Sequence, residues 1–166
     1  MEEEIIKVIT NHDFLSRTIK LVNEYDGKWD ATMFMNACVG LLFIATEKYS
    51  DKIGSLDTTE FFKDLIDTTN INICRKYNRS KRIYKEEEKN LLNVSRHIRN
   101  SIAHCNFEMT KGNKNIVSSI KFQDFYERVT PKSRKDKKTF EFEISMSDFR
   151  KLIMKLATTI SELDKA

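Results

Sequence analysis

Apolar residues return at steps of three and four along most of this chain, and at steps of two in one part of it. Between Tyr84 and about Phe107, Leu91, Val94, Ile98, Ile102 and Cys105 form a stripe with helical spacing. The pattern predicts an amphipathic helix that buries this stripe and displays Asn93, Arg96, Asn100 and His104 on roughly the opposite face. Asp30 to about Lys52 predicts another helix, with Asp30 as N-cap. It is apolar nearly all round between Met33 and Ala45, the composition of a helix at the centre of a bundle. Ile5, Val8, Ile9, Phe14, Leu15, Ile19 and Val22 predict a first helix over about Glu3 to Glu24, with a break around residues 11–13. Thr58-Thr59-Glu60 opens a short helix carrying Phe61, Phe62, Leu65 and Ile66. Ser145-Met146-Ser147-Asp148 starts the last one, with Phe149, Leu152, Ile153, Leu156 and Ile160 on one face.

The period changes after Phe107. Asn115 to Phe125 and Thr139 to Ile144 carry β-branched and aromatic residues in partial alternation, which predicts a two-stranded hairpin over about residues 115–144. Its tip, Val129 to Lys138, holds the single proline and a group of lysines, a composition that suits a solvated loop. The expected fold is mainly α, a helical bundle with a short β-hairpin between the Arg99–His104 helix and the C-terminal helix. One domain over residues 1–166 is expected, large enough to bury roughly 70% of its unfolded surface without covalent staples. The four glycines suit short connections.

A hydrophobic share of 40% with 33% charged residues is that of a folded, water-soluble chain rather than a disordered one. The net charge of +4 permits an acidic polymer as partner without demanding one. Cys38, Cys74 and Cys105 offer neither a disulfide framework nor a zinc spacing, which points to a reducing compartment. The acidic start Met1-Glu2-Glu3-Glu4 is the reverse of a signal peptide's basic one. The apolar run Met33 to Ala45 is shorter than the roughly 18 residues a membrane span requires. A cytoplasmic protein with no membrane association is expected.

The chemistry concentrates in Arg99-Asn100-Ser101-Ile102-Ala103-His104. Cleaving RNA without a metal needs a group that moves a proton and a cation near the charge that develops on phosphorus. Histidine is the usual proton carrier near neutral pH, and arginine holds a phosphate through two parallel hydrogen bonds. RNA supplies its own nucleophile, the 2′-hydroxyl. Arg99 and His104 suffice for such a reaction, with Asn100 as a neutral donor and positioning group. Five helical residues rotate by about 500°, so Arg99 and His104 point roughly 140° apart. Two copies of the helix facing each other across a two-fold axis resolve that mismatch, which predicts a composite site at a homodimer interface.

The hexapeptide resembles the R-x4-6-H signature of the HEPN (higher eukaryotes and prokaryotes nucleotide-binding) superfamily, in which a polar residue follows the arginine directly, here Asn100. Asn36-Ala37-Cys38-Val39-Gly40-Leu41-Leu42 and the later Glu47 are similar to the central helix of small stand-alone bacterial members, and the resemblance spans about Trp29 to Leu163. It implies a helical bundle, homodimerisation through the motif helices and metal-independent endoribonuclease activity, with Arg99 and His104 as the catalytic pair and Asn100 in support. It also implies service as a toxin or antiphage effector, with an antitoxin or regulatory protein as a further partner. Some members are non-catalytic modules that bind RNA, a nucleotide or a protein through the same surface, and that alternative stays open.

Further RNA contacts are expected from the basic run Arg75, Lys76, Arg79, Lys81 and Arg82, extended by Lys85 and interleaved with Tyr77 and Tyr84, which can stack on bases. A solvated connector is the other reading of that run. Arg96 and His97 are placed at the edge of the same RNA surface, a structural or solvated role being the alternative for His97. Cys105 falls on the apolar stripe and is expected in the core. Asn36 is expected to brace the motif helix or meet a partner subunit, since a buried amide needs hydrogen bonds. No glycine-rich phosphate loop, metal-ligand cluster or serine–histidine–aspartate pattern is present. No cofactor is expected.

Overall fold

The computed structural model describes residues 11–24, 30–56, 58–63, 71–72, 75–78, 83–86, 89–112, 116–125 and 138–163. Its helices are α1 (Asn11–Glu24), α2 (Asp30–Lys48), α3 (Ser50–Gly54), α4 (Thr58–Phe62), α5 (Leu91–Ala103) and α6 (Met146–Leu163). Its strands are β1 (Ile71–Asn72), β2 (Arg75–Asn78), β3 (Ile83–Glu86), β4 (Phe107–Lys111), β5 (Val117–Phe125) and β6 (Lys138–Ser145). The fold is mainly helical, with a β element between α5 and α6, as the hydrophobic pattern predicts. The expected hairpin exists as β5 and β6. It is the middle of an antiparallel four-stranded sheet of order β1-β6-β5-β4, and β2 and β3 form a separate two-stranded ribbon.

Alternation along the central strands decides which face of the sheet is covered. Ile120 stands opposite Ile144, Phe122 opposite Phe142 and Asp124 opposite Phe140, and all six are buried. A chain of ring contacts ties this face to the helices. Phe122 lies 5.0 Å from Phe149 of α6, which lies edge-on at 5.4 Å from Phe34 of α2. Such pairs add about 0.5–1.5 kcal/mol each beyond their buried area. Helix α5 packs against α2 on one side and β5 on the other.

The ends of α5 differ from the expected Tyr84–Phe107 span. Residues 83–86 belong to β3, with Tyr84 opposite Tyr77 of β2, because β-branched and aromatic residues there pair as strands. The helix starts after Asn90, whose side-chain Oδ1 accepts the Asn93 amide at 2.9 Å and satisfies one of the free N–H groups of the first turn. It stops at Ala103 with His104 as C-cap. Cys105 then adopts a left-handed φ of 53°. The Cys105 amide reaches the Ile102 carbonyl at 3.0 Å and the Asn106 amide the Ser101 carbonyl at 2.7 Å, the double closure of a Schellman turn. The Gln123 amide donates to the Asn106 carbonyl at 2.9 Å, which joins this turn to the sheet. Cys105 is therefore exposed rather than in the core.

Asn36 is also exposed, so α2 carries no buried amide there. It shares an open face of α2 with Glu47 and with Phe43, which is 57% exposed. Helix α2 is thus central along one side only. Cys38 on its covered side is buried, and that burial pushes its thiol pKa up. The expected contributions of Leu65 and Ile66, of residues 3–10 and of the hairpin tip 129–137 lie outside the described residues. No helix among the described residues is long and apolar enough to cross a membrane.

The left-handed Cys105 gives the first test. Glycine at this position removes the clash between Cβ and the following carbonyl, partly offset by glycine's greater freedom in the unfolded chain. Cys105→Gly is expected to stabilise by about 0.5–1 kcal/mol, a rise in Tm of about 1–4 °C for a domain of this size. A Tm that falls in a thermal scan would show that the cysteine side chain contributes more than its backbone conformation costs.

Candidate active site

Burial on two sides leaves α5 one open stripe. Leu91, Asn93, Val94, Ser95, His97, Ile98, Ser101 and Ile102 are all buried. The half-buried or exposed positions are Leu92, Arg96, Arg99, Asn100, Ala103 and His104. Their spacing of four, three, one, three and one makes a single band along the helix. Arg99 and His104 stand at its two edges near the C-terminal end, with the small Ala103 between them. The expected polar face is corrected at Asn93, which is buried and accepts a hydrogen bond from Arg96 Nη2 at 2.9 Å.

Arg99 is held from two elements. Its Nη1 donates to Thr46 Oγ1 at 3.0 Å and forms an ion pair with Glu47, both near the C-terminal end of α2. Its Nε and Nη2 share the Asn100 Oδ1 at 3.4 and 3.2 Å. The Thr46 hydroxyl is itself anchored, donating to the Leu42 carbonyl at 2.9 Å, so its lone pair faces Arg99. The side chain of Glu47 is 55% exposed against 20% for Arg99, so water screens this pair strongly.

The other side of Asn100 leads into the sheet. Its Nδ2 donates to Asp124 Oδ2 at 3.1 Å. His97 Nδ1 meets the same oxygen at 2.7 Å, and the Phe125 amide donates to Asp124 Oδ1 at 2.8 Å. With the carboxylate as acceptor throughout, His97 carries its proton on Nδ1, an assignment made from the bonding network. The His97 ring stacks on Phe140 at 4.9 Å with 8° between planes. At 6% exposure His97 is buried and bonded within the protein, in keeping with its structural reading, rather than at the edge of the open band.

His104 occupies the helix cap between α5 and the turn to β4, and it is exposed. The structure therefore brings Arg99 and Asn100 into contact and sets His104 one turn away on the same open band. Arg96 lies within that band, about one turn before Asn100. The backbones of Arg75 and Lys76 lie in β2, with Arg75 registered opposite Glu86 and Lys76 opposite Lys85, so this part of the basic run is a strand rather than a connector. Arg79, Lys81 and Arg82 lie outside the described residues.

Two participants were missed in the sequence reading. Thr46 gave no signal of its own. Asp124 did, for it follows Ile120 and Phe122 on the buried alternation of β5, where a carboxylate needs partners. Among the described residues, no group of three or more His, Cys, Asp or Glu side chains is arranged to hold a metal ion.

A mainly helical fold with a β element between its last two helices is that of a HEPN-like bundle. Over residues 1–166 the chain matches the family described as HEPN pEK499 p136, and it belongs to that family. No curated protein and no solved structure reaches a significant match to the chain.

The two histidines of α5 are separable by stability. His97→Ala removes a stacked ring and one partner of a buried carboxylate, and is expected to cost roughly 2–4 kcal/mol. His104→Ala removes an exposed side chain and is expected to stay within about 0.5 kcal/mol of the parent. Urea unfolding of both variants checks this, and equal losses would contradict the placement of His104.

Proposed function

We propose that this protein is a metal-independent endoribonuclease whose site is built from Arg99, Asn100 and His104. The observation that carries the reading is the joint placement of a fixed guanidinium and an exposed imidazole on the one open band of α5. Membership of a HEPN family supports it.

In the proposed reaction a phosphodiester of RNA enters beside Arg99. The 2′-oxygen gives up its proton and bonds to phosphorus, and the bond from phosphorus to the 5′-oxygen breaks. The departing oxygen takes a proton, so the products are a 2′,3′-cyclic phosphate and a 5′-hydroxyl. His104 serves as the general acid or base for one of these transfers. Arg99 stabilises the charge that builds on the non-bridging oxygens. A two-pronged grip on phosphate requires the Glu47 contact to yield. Glu47 is well exposed and can turn into water when the phosphate arrives.

The pair is completed across a homodimer. Arg99 and His104 flank Ala103 at roughly 140° to each other on one helix. A small residue at the middle of an exposed band lets a second copy of α5 approach closely, bringing the His104 of one protomer toward the Arg99 of its partner. The reading includes cytoplasmic action as a toxin or antiphage effector, restrained by an antitoxin or regulatory protein. Arg96, Arg75, Lys76, Arg79, Lys81 and Arg82 are the proposed further contacts to the RNA backbone.

Purified protein incubated with structured RNA and tRNA in EDTA is expected to cleave and to leave 2′,3′-cyclic phosphate ends. His104→Ala is expected to lose about 10²–10⁴-fold in rate. Arg99→Lys, which keeps the charge and loses the planar fork, is expected to lose about 10²-fold or more. Cleavage that survives in His104→Ala, or that EDTA abolishes, counts against the mechanism. RNA binding without any cleavage points to the non-catalytic alternative.

Mixing inactive variants tests the composite site. In a dimer of one Arg99→Ala and one His104→Ala protomer, one of the two sites retains both an intact arginine and an intact histidine. Random exchange of equal amounts is then expected to restore about a quarter of the parental rate. No recovery, with heterodimers confirmed by mass, would place Arg99 and His104 of each site on one chain.

A further inference from the structure

The Asn100 side chain has acceptors on one side and donors on the other, and only one orientation of its amide satisfies both. Its oxygen faces the Arg99 guanidinium, with Nη2 at 3.2 Å. Its nitrogen faces Asp124 Oδ2 at 3.1 Å. Turning the amide over sets NH2 against guanidinium N–H groups and oxygen against carboxylate, replacing charge-assisted bonds with like-against-like contacts. The amide orientation therefore depends on the carboxylate behind it.

That carboxylate is itself fixed. Asp124 is 6% exposed, on the covered face of β5. Both of its oxygens are engaged, Oδ1 by the Phe125 amide at 2.8 Å and Oδ2 by His97 Nδ1 at 2.7 Å as well as by Asn100. The strand pairing shifts register between Asp124 and Phe125, and the Thr139 hydroxyl donates to the Asp124 carbonyl at 3.2 Å at this irregularity. The irregularity comes after Asp124, which itself keeps the inward register of Ile120 and Phe122.

We propose that Asp124 is a positioning residue of the Arg99 site. It sets the polarity of the Asn100 amide, and through the Asn100 oxygen it holds the Arg99 guanidinium in place for phosphate. It does not touch RNA. The sheet thus takes part in the site although it contributes no group to the reacting atoms. The consequence for cleavage rests on the ribonuclease reading above, whereas the consequence for Arg99 does not.

The test uses Asp124→Asn in the full chain with two readouts. An amide at position 124 cannot serve as acceptor to all three of its donors, so the Asn100 amide loses its enforced orientation. The 15N-resolved Arg99 Nε–H signal, assigned by its absence in Arg99→Lys, is expected to exchange with water at least about tenfold faster in Asp124→Asn. RNA cleavage is expected to fall about 10- to 100-fold, as for a catalytic group displaced by a fraction of an ångström to an ångström. In an Asn100→Ala background, Asp124→Asn is expected to reduce cleavage no further, because Asp124 acts through Asn100. Losses that multiply in that double variant, or an unchanged Arg99 signal, overturn the proposal.

An unmodified protein that cleaves no RNA would defeat the ribonuclease reading and leave the Arg99 signal to decide the role of Asp124 alone. If Asp124→Asn does not fold, the parent protein still decides. The Asn100 side-chain NH2 is expected to exchange far more slowly than that of exposed Asn36, and equal rates overturn the proposal.

Discussion

Helix α5 is gripped on two sides, by α2 and by strand β5, and the grip decides what its polar residues can do. Eight of its thirteen side chains are buried, among them Asn93, Ser95, His97 and Ser101. Polar groups so placed cannot serve a substrate, and each needs a partner in the protein. Ser101 finds one in the carbonyl a turn back, donating to His97 at 2.7 Å. No buried side-chain nitrogen or oxygen among the described residues lacks a partner. The grip therefore sorts the polar residues of a polar-rich helix into those that hold the fold and a narrow band that faces outward.

The partners alternate in sign from one side of the helix to the other. Glu47, Arg99, Asn100, Asp124 and His97 form a line in which each contact joins a donor to an acceptor. The two ends of the line differ in their surroundings. Asp124 and His97 are sealed under the sheet, where a low local dielectric strengthens each bond and makes loss of a partner costly. Glu47 is open to water, where the same kind of contact is worth little. The guanidinium is consequently anchored by its buried side and restrained loosely by its exposed side. A lysine in its place would have no planar edge to match the Asn100 oxygen and the Thr46 hydroxyl together.

Much of this was legible in the sequence. Period-3.6 spacing marked α5 and α6, and period-2 spacing marked β5 and β6, because in each case one face is buried and the pattern records it, whereas α2 showed itself as an apolar run. The ends of α5 were not legible that way. Tyr84 fits a helical stripe as well as it fits a strand, and only its pairing with Tyr77 separates the two. Cys105 continues the stripe in register, yet Asn106 is tied to Gln123 of the sheet, and the chain must turn through a left-handed residue to get there. Asn36 misled for another reason. An apolar run records how much a helix buries, but not which of its sides is left open. Asp124 was readable in principle, as a charge on the buried register of a strand. Its partners were not, since they lie 24 and 27 positions away on a helix, and no spacing along the chain ties Asn100 or His97 to a strand.

The sheet and the helix end are therefore one device rather than a bundle with an appendage. The turn that closes α5 is bonded to β5 through Gln123, and one residue further along the same strand Asp124 is bonded to Asn100. Strand β5 thus fixes both the point where the helix stops, which places His104, and the amide next to Arg99. Any slip of β5 by one residue would turn Asp124 to the outer face and replace it with Gln123 or Phe125. Cross-strand pairing of Ile120 with Ile144 and Phe122 with Phe142 opposes such a slip by keeping apolar side chains inward. The hydrophobic alternation that makes the strand also sets the register on which both polar anchors depend. In this fold the packing of the sheet and the geometry of the candidate site are the same constraint, read at the two ends of a few residues of β5.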